Sequence, residues 1–456
     1  MLSSLAAARP ARAEVVPAPI ELPAKLTLDD ALRIFRSRGF DLLIAEAAIV
    51  NAQGDQLVAG ASPNPAVNVG IGRVIGNYDT TDYTNAGPTT PLGKGPCIGC
   101  SANSYSLGIT DQAAIEDALS GKRGLRLRVA RNALAAARLA RVDAERSIAF
   151  QVKAAYFQVA LASAALEFAK DVQRNSVETV RLTQLKFDKG QVDLGVLARI
   201  DTAKLEGDQA VDSALQNFRA ARVALAFLLG VRGHVPDFSI DEDTDKDVTR
   251  VSAGVLKFEV PGSLATADEL ALMRDAFEHR PDLRAYGYQK ERAGAAIALA
   301  KRQRFPDISF SVQYNQTGSY QNAVQPPTLM FGLSAPIPLL YQQQGEIRKA
   351  EADYSLQALS RAKAEAQVVS DVETAYAAFA TSRALVTRME TTLLDRARTA
   401  RDITKRQYDG GTASLIDYLD AQRTYIATNL EYLQDLTNYW TAVAQLEQAV
   451  GMELRK

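Results

Sequence analysis

Two hydrophobic periods that cannot share one element alternate along this chain, and each occurs twice. In Val67-Asn68-Val69-Gly70-Ile71-Gly72 every odd position is apolar and every even position small or polar. The same period of two runs through 104–110, 308–315 and 329–334. Each such run predicts a strand with one apolar face and one face of Ser, Gly, Asn or Gln. The intervening stretches are helical. From about 122 to 188 there is no proline and the only glycine is Gly124, and about 345–409 is similarly free of breakers after Gly345. At 1.5 Å per residue each would reach about 100 Å, several times an ordinary globular helix. Val152, Val159 and Leu166, and again Val372, Phe379 and Val386, keep heptad spacing and supply a packing seam. Ala154, Ala155, Ala160, Ala164 and Ala165, with Ala375, Ala377, Ala378 and Ala380, allow neighbouring helices to approach closely. Shorter helices are predicted at 27–38, 41–59, 197–229, 267–279, 282–302 and 415–450, the first opened by a capping box at Thr27-Leu28-Asp29-Asp30.

The two sets of elements are copies of one module. Residues 26–230 and 264–451 overlay with landmarks in step: Asp41-Leu42 with Asp282-Leu283, Pro65 with Pro306, Gly108 and Gly121 with Gly332 and Gly345. Phe187-Asp188-Lys189-Gly190 matches Tyr408-Asp409-Gly410-Gly411, and Leu229-Gly230 matches Val450-Gly451. This organisation divides the chain into an N-terminal segment (1–25), a first repeat (26–231), a linker (232–263) and a second repeat (264–452). Each repeat reads as short helix, half helix, strand hairpin, long helix, tight turn and returning helix.

Composition removes several functions. With 52 basic and 53 acidic residues there is no electrostatic case for nucleic acid. Two cysteines and two histidines leave little for a soft-metal cage or imidazole catalysis. His234 and His279 fall in the linker and near a helix end without a nucleophile partner, so no catalytic residue, cofactor site or metal site is nominated. No run of eighteen apolar residues occurs, and a membrane-spanning helix is not expected. Residues 1–13 end in Ala11-Arg12-Ala13 before Glu14, the form of a signal-peptidase site behind a truncated apolar region. Residues 15–23 are proline-rich and expected to be extended. Cys97-Ile98-Gly99-Cys100 has no second ligand pair nearby. A small loop disulfide is preferred there to a metal or redox motif. Asp241-Glu242-Asp243-Thr244-Asp245 marks the linker as a solvated crossover.

The alternating strands allow two readings. They are half-buried hairpins of a soluble sheet, or strands with lipid on one side and a watery lumen on the other. Their matched places in both repeats, and the lack of an apolar helix face to cover them, favour the second. Four strands cannot close a barrel, and every strand edge must be paired in lipid, so a membrane role requires several copies of the chain.

Taken together, the order and duplication of these landmarks resemble the TolC-like outer-membrane efflux family, the outer membrane factors of tripartite pumps, from Leu26 to Gly451. The residues that carry the resemblance are Leu-Thr-Leu-Asp-Asp-Ala-Leu at 26–32, Arg280-Pro281-Asp282-Leu283, Ser334-Ala335-Pro336-Ile337-Pro338-Leu339 with Gly345-Glu346-Ile347, and the two helix-turn-helix tips. The resemblance implies a mainly α homotrimer. A twelve-stranded transmembrane β-barrel, four strands from each chain, would be continued by a long periplasmic α-helical barrel. It further implies a passive outer-membrane exit duct of a Gram-negative bacterium that serves a periplasmic adaptor and an inner-membrane pump of the RND type. Cargo would be small toxic compounds or metal ions, and the Pro336-Ile337-Pro338…Gly345-Glu346-Ile347 stretch points to the heavy-metal branch. An exit channel for type I protein secretion is the alternative within transport, and a non-membrane coiled-coil scaffold or adhesin the alternative outside it.

In that family the two turns, here 189–197 and 410–419, form the periplasmic entrance. The resemblance assigns Asp417 and Asp420 to an acidic ring and Tyr408 to an aromatic gate position. It assigns adaptor contact to Gly190, Gln191, Val192, Asp193 and Leu194 in the first turn, and to Gly411, Thr412, Ala413, Ser414 and Leu415 in the second. A local reading competes for Asp417: Ser414-Leu415-Ile416-Asp417 has capping-box form. The chain departs from the family at Ala413, where Arg is common, and at Val196, where Asp is common. The gate is therefore expected to close by packing more than by ion pairs.

Overall fold

The structure is a computed structural model and describes residues 22–75, 78–80, 95–97, 101–240, 256–265, 268–317 and 325–454. The leader, the Cys97–Cys100 pair through Cys100, and the acidic run at 241–245 fall outside the described residues. The first repeat contains β1 (Lys25–Leu26), α1 (Leu28–Arg38), α2 (Phe40–Gly60), β2 (Ala66–Ile75), the small hairpin β3 (Tyr78–Thr80) and β4 (Gly95–Cys97), and β5 (Ser101–Thr110). A short α3 (Ala114–Leu119) then leads to α4 (Lys122–Asp188) and α5 (Leu194–Leu228). After β6 (Ser239–Ile240) and α6 (Gly262–Ala265) come α7 (Glu269–His279), α8 (Pro281–Arg302), β7 (Ser309–Thr317) and β8 (Gln325–Ser334). The chain ends with α9 (Gln344–Arg388), α10 (Leu394–Asp409) and α11 (Leu415–Val450). A π turn, Met389–Leu393, interrupts what the sequence predicts as one helix over 345–409.

Compactness divides the chain across the repeats rather than between them, into residues 1–48, 139–283 and 363–456 on one side and 49–138 with 284–362 on the other. In the second unit β2, β5, β7 and β8 form one antiparallel sheet in that order, so the hairpins of both repeats join through β5 and β7. Val67 lies opposite Ile109, Val69 opposite Leu107, Val312 opposite Phe331 and Phe310 opposite Leu333. Register therefore gathers the apolar alternate residues on one face. That face is bare: its side chains from Val67 and Ile71 to Phe331 and Leu333 are between 40 and 79 % exposed, Val312 alone being partly covered. On the opposite face Gly70, Gly72 and Gly332 pair with Ser106, Ser104 and Ser311. A Cβ at any of these glycines would stand 2.4–2.5 Å from the serine hydroxyl, so the small residues set how closely that face packs. Below the strands the buried Lys122 ammonium donates to Phe305 O at 2.8 Å and pairs with Asp307 at 2.6 Å.

In the first unit α11 is the central element. Its face from Tyr432 through Leu433, Leu436, Tyr439, Trp440, Val443 and Leu446 to Val450 is buried. Tyr439 meets Phe379, Phe258 and Trp440 at ring separations of 5.8, 5.1 and 5.3 Å, and Trp440 stacks on Phe157 at 6.1 Å. The polar ends of these rings reach backbone carbonyls: Tyr439 donates to Glu259 O, Trp440 to Lys257 O and Tyr156 to Leu26 O. Buried aromatic groups require such partners. The linker was expected to be a solvated crossover, but its described ends are packed. Phe238, Ile240 and Leu256 are buried, β6 pairs in parallel with β1, and Arg222 holds Pro236 O and Asp237. Apolar side chains bury those ends, and the acidic run on which the expectation rested lies outside the described residues.

Both repeats close on a left-handed glycine. Gly230 (φ +80°) passes Arg38, where a Cβ would meet the Arg38 carbonyl oxygen at 2.6 Å, and Gly451 (φ +85°) passes Arg280. The guanidinium of Arg280 is buried and bonds Asp282 and Asp371. The Arg-Pro-Asp landmark is thus a buried ion pair at a helix start. Trp440→Ala removes a stacked ring and a buried hydrogen bond together. It is expected to destabilise the protein by about 3–5 kcal/mol, read as a lower denaturant midpoint in detergent.

Candidate functional site: the paired helical turns

The turns after α4 and α10 are built alike from local rules. In the first, Gly190 at φ +68° donates to Phe187 O, and Gln191 donates to Lys186 O. In the second, Gly411 at φ +78° donates to Tyr408 O, and Thr412 donates to Gln407 O. Each pair of bonds is a Schellman closure, which needs a left-handed residue and hence glycine. Three residues further on a cap opens the next helix. Asp193 accepts from Val196 N at 2.8 Å, and Ser414 accepts from Asp417 N at 3.2 Å. The predicted turns ran to 197 and 419, but the caps start α5 at Leu194 and α11 at Leu415. The turns proper are residues 189–193 and 410–414.

A shared apolar cluster joins the two turns: Leu197, Ile200, Tyr408, Leu415 and Tyr418, flanked by Val180, Phe187, Val196 and Leu419. Tyr408 and Tyr418 stack at 5.6 Å with planes 7° apart. The Tyr408 hydroxyl lies 3.3 Å from Thr183 Oγ1, and the Lys186 ammonium sits 4.6 Å from its ring centre. Tyr408, expected as an aromatic gate, is therefore 8 % exposed and part of the seam between the hairpins. Val196, at the position of Asp417 in the other repeat, adds to the same cluster. An ion pair also links the hairpins, Arg423 to Glu206 at 3.2 Å, but both partners are mostly exposed. Such pairs contribute little.

The nominated adaptor contacts divide by exposure. Gly190, Gln191, Asp193, Gly411, Thr412 and Ser414 are exposed, and Val192 and Ala413 half-buried. Leu194 is 67 % exposed, whereas Leu415 is 5 % exposed and belongs to the cluster. The two leucines hold matching positions after their caps, and which of them enters the cluster was not indicated by sequence alone. Beside the first turn, Leu182, Leu185, Lys186, Lys189, Gln191 and Asp409 line a 260 Å³ pocket.

Asp417 satisfies the local reading in full. Its carboxylate accepts from Ser414 Oγ at 2.7 Å and Ser414 N at 3.1 Å, completing the capping box. The hydroxyl first, and then the backbone N–H, hold its carboxyl below the usual carboxylate range. Asp420 stands exposed one turn on. Among the described residues no group of three or more His, Cys, Asp or Glu is arranged to hold a metal ion. Because the folded Asp417 titrates below its ordinary value, the anion supports the cap at all higher pH. That support fades as the pH falls through the lowered value. In Ser414→Ala the Asp417 carboxyl is expected to titrate at higher pH, as observed by NMR of aspartate-labelled protein, and the amides of 415–418 to exchange faster.

Comparison with known proteins places this architecture. Residues 32–231 and 272–452 match the outer membrane efflux protein family. The cobalt-zinc-cadmium resistance protein CzcC of Cupriavidus metallidurans is 22 % identical over 95 % of this chain and 92 % of its own. The pyoverdine export outer membrane protein OpmQ of Pseudomonas putida is 24 % identical over 93 % of this chain and 85 % of its own. The crystal structure of the open state of the Neisseria gonorrhoeae MtrE outer membrane channel shares the fold, with a TM-score of 0.71 at 19 % identity over 94 % of this chain and 90 % of that one. The chain belongs to the outer membrane efflux protein family and is an outer-membrane exit duct of an efflux system.

Proposed function

We propose that three copies of this chain close a twelve-stranded barrel in the outer membrane. The long helices of the same three chains would enclose a passive periplasmic conduit. The observation that carries this is the four-stranded sheet, with a bare apolar face, a face of glycine, serine and amide side chains, and two open edges at β2 and β8. A sheet with open edges is not viable in lipid until neighbours pair them. Closure by copies satisfies the edges and puts the apolar face against lipid. The small residues then line a watery bore. A type I secretion channel or a soluble scaffold is not favoured, given the efflux relatives.

The paired turns act as the entrance in this reading. The exposed residues 190–194 and 411–414 meet a periplasmic adaptor that connects to an inner-membrane pump of the RND type. Asp417 and Asp420, repeated three times around one axis, make a cation-attracting ring. Capping and ring roles are compatible, since the cap orients the Asp417 carboxylate without neutralising it. On α11 the carboxylates of Asp417, Asp420 and Glu431 are exposed against one basic residue, Arg423, while Asp435 and the Lys153-paired Glu447 are buried. This supports positively charged cargo among the small toxic compounds and metal ions exported, in keeping with the metal-resistance relative.

Two experiments test this. Leu107→Arg on the apolar face is expected to cost about 2–4 kcal/mol and to abolish membrane assembly, while Ser106→Arg on the other face leaves assembly intact. Equal effects of the two would contradict the assigned faces. In planar bilayers, Asp417→Ala and Asp420→Ala are each expected to reduce cation preference with little change in open probability. A large opening from either single change would show that ionic latches hold the entrance.

A further inference from the structure

We propose that the π turn at Met389–Leu393 is the hinge of the second-repeat hairpin, about which α10 and the adjoining part of α11 move when the entrance opens. The proposal rests on the reading of the paired turns as that entrance. Its first support is a count along the two repeats. Val152, Val159 and Leu166 lie 220 positions before their partners Val372, Phe379 and Val386. Below them the offset becomes 221, for Phe187 and Tyr408, Asp193 and Ser414, and Gly230 and Gly451. The second repeat thus has one extra residue between Val386 and Tyr408, and the π turn lies within that interval.

Geometry explains why the extra residue does not disturb the packing. In the turn the Leu394 N–H reaches back five residues to Met389 O, which absorbs one inserted residue. Val386, Met389 and Tyr408 all remain buried. The matched stretch of α4 runs without interruption from Lys122 to Asp188. The helix defect therefore sits only in the hairpin whose returning helix, α11, carries Asp417 and Asp420. Mid-helix π turns are weak points of the backbone ladder and recur at functional sites.

The surroundings are those of a pivot. Above the turn, α9 is anchored by the buried Val372, Phe379 and Val386. At the turn, the Tyr432 hydroxyl of α11 donates to Glu390 Oε1 at 2.7 Å, and Tyr432 is itself buried. Below it, α10 and α11 are held together by the Arg401 guanidinium, 4.0 Å from the Tyr425 ring centre, and by the Tyr408–Tyr418 stack. The lower hairpin can then move as one body, with the Tyr432–Glu390 bond as its fixed point and α11 bending gradually as long helices do.

Deleting Thr391, an exposed residue of the turn, tests this in the full-length protein. The deletion gives the Val386–Tyr408 interval the length of its Leu166–Phe187 counterpart and is expected to restore a continuous α-helix with the buried positions on their original faces. In the wild type, amides of 389–397 are expected to exchange about tenfold faster than those of 168–176 in α4, and the deletion to remove the difference. In planar bilayers the deletion is expected to reduce transitions to the open level about tenfold. Tyr432→Phe, which releases the pivot and keeps the helix, is expected to increase them. It also decides the matter where the deletion does not assemble. Equal exchange in the two stretches, or wild-type gating in both variants, would overturn the hinge. Cation preference altered by Asp417→Ala but gating indifferent to both hinge variants would remove the hinge and leave the entrance in place. If neither set of changes affects conduction, the entrance reading fails and the hinge with it.

Discussion

Helix α11 buries a face along most of its upper length, and the first unit is arranged to accommodate it. Tyr439 and Trp440 each place a large ring among Phe157, Phe258 and Phe379 while sending a donor to a carbonyl of the inter-repeat segment. Apolar burial and backbone satisfaction are met by the same side chains, which hold the described ends of the segment between repeats alongside the β1–β6 pairing. The pair of β1 with β6 and the Arg280 cluster continue this arrangement. Each ties a chain end or linker to the helices.

In the second unit an exposed apolar face stands where the first unit has a buried core. The apolar alternate residues of the four strands fall on one face, which is largely uncovered among the described residues. A soluble sheet would require a helix or a second sheet there. In the proposed barrel, lipid would cover that face and strands of neighbouring copies would pair both edges. The opposite face has Gly facing Ser in three cross-strand pairs.

The paired turns show how duplication and divergence combine. Both use glycine at the left-handed position and an oxygen-bearing cap three residues later, so their backbones are nearly equivalent. Their side chains are not: Val196 completes the apolar seam in one repeat, while Asp417 closes a capping box in the other. Tyr408 faces inward to Tyr418 and Thr183. The seam between the two hairpins of one chain is mostly apolar.

Period and punctuation in the sequence determined which stretches are strands and which are helices, and where the turns lie. Strand alternation and helix periodicity are local properties of the backbone, and glycine at 190 and 411 is a local steric requirement. The duplicated order of landmarks, again visible in the residues alone, was enough to suggest the family. Tertiary structure alone decided that Leu415 and Tyr408 face inward and that the linker ends are buried. It also decided that β5 joins β7 across the repeats. Each depends on which distant surfaces meet, and no local pattern encodes that. The π turn lies between the two cases. Its extra residue is present in the spacing of the repeats, but only the folded helix, with Val386 and Tyr408 both held in the core, requires that residue to be absorbed between them.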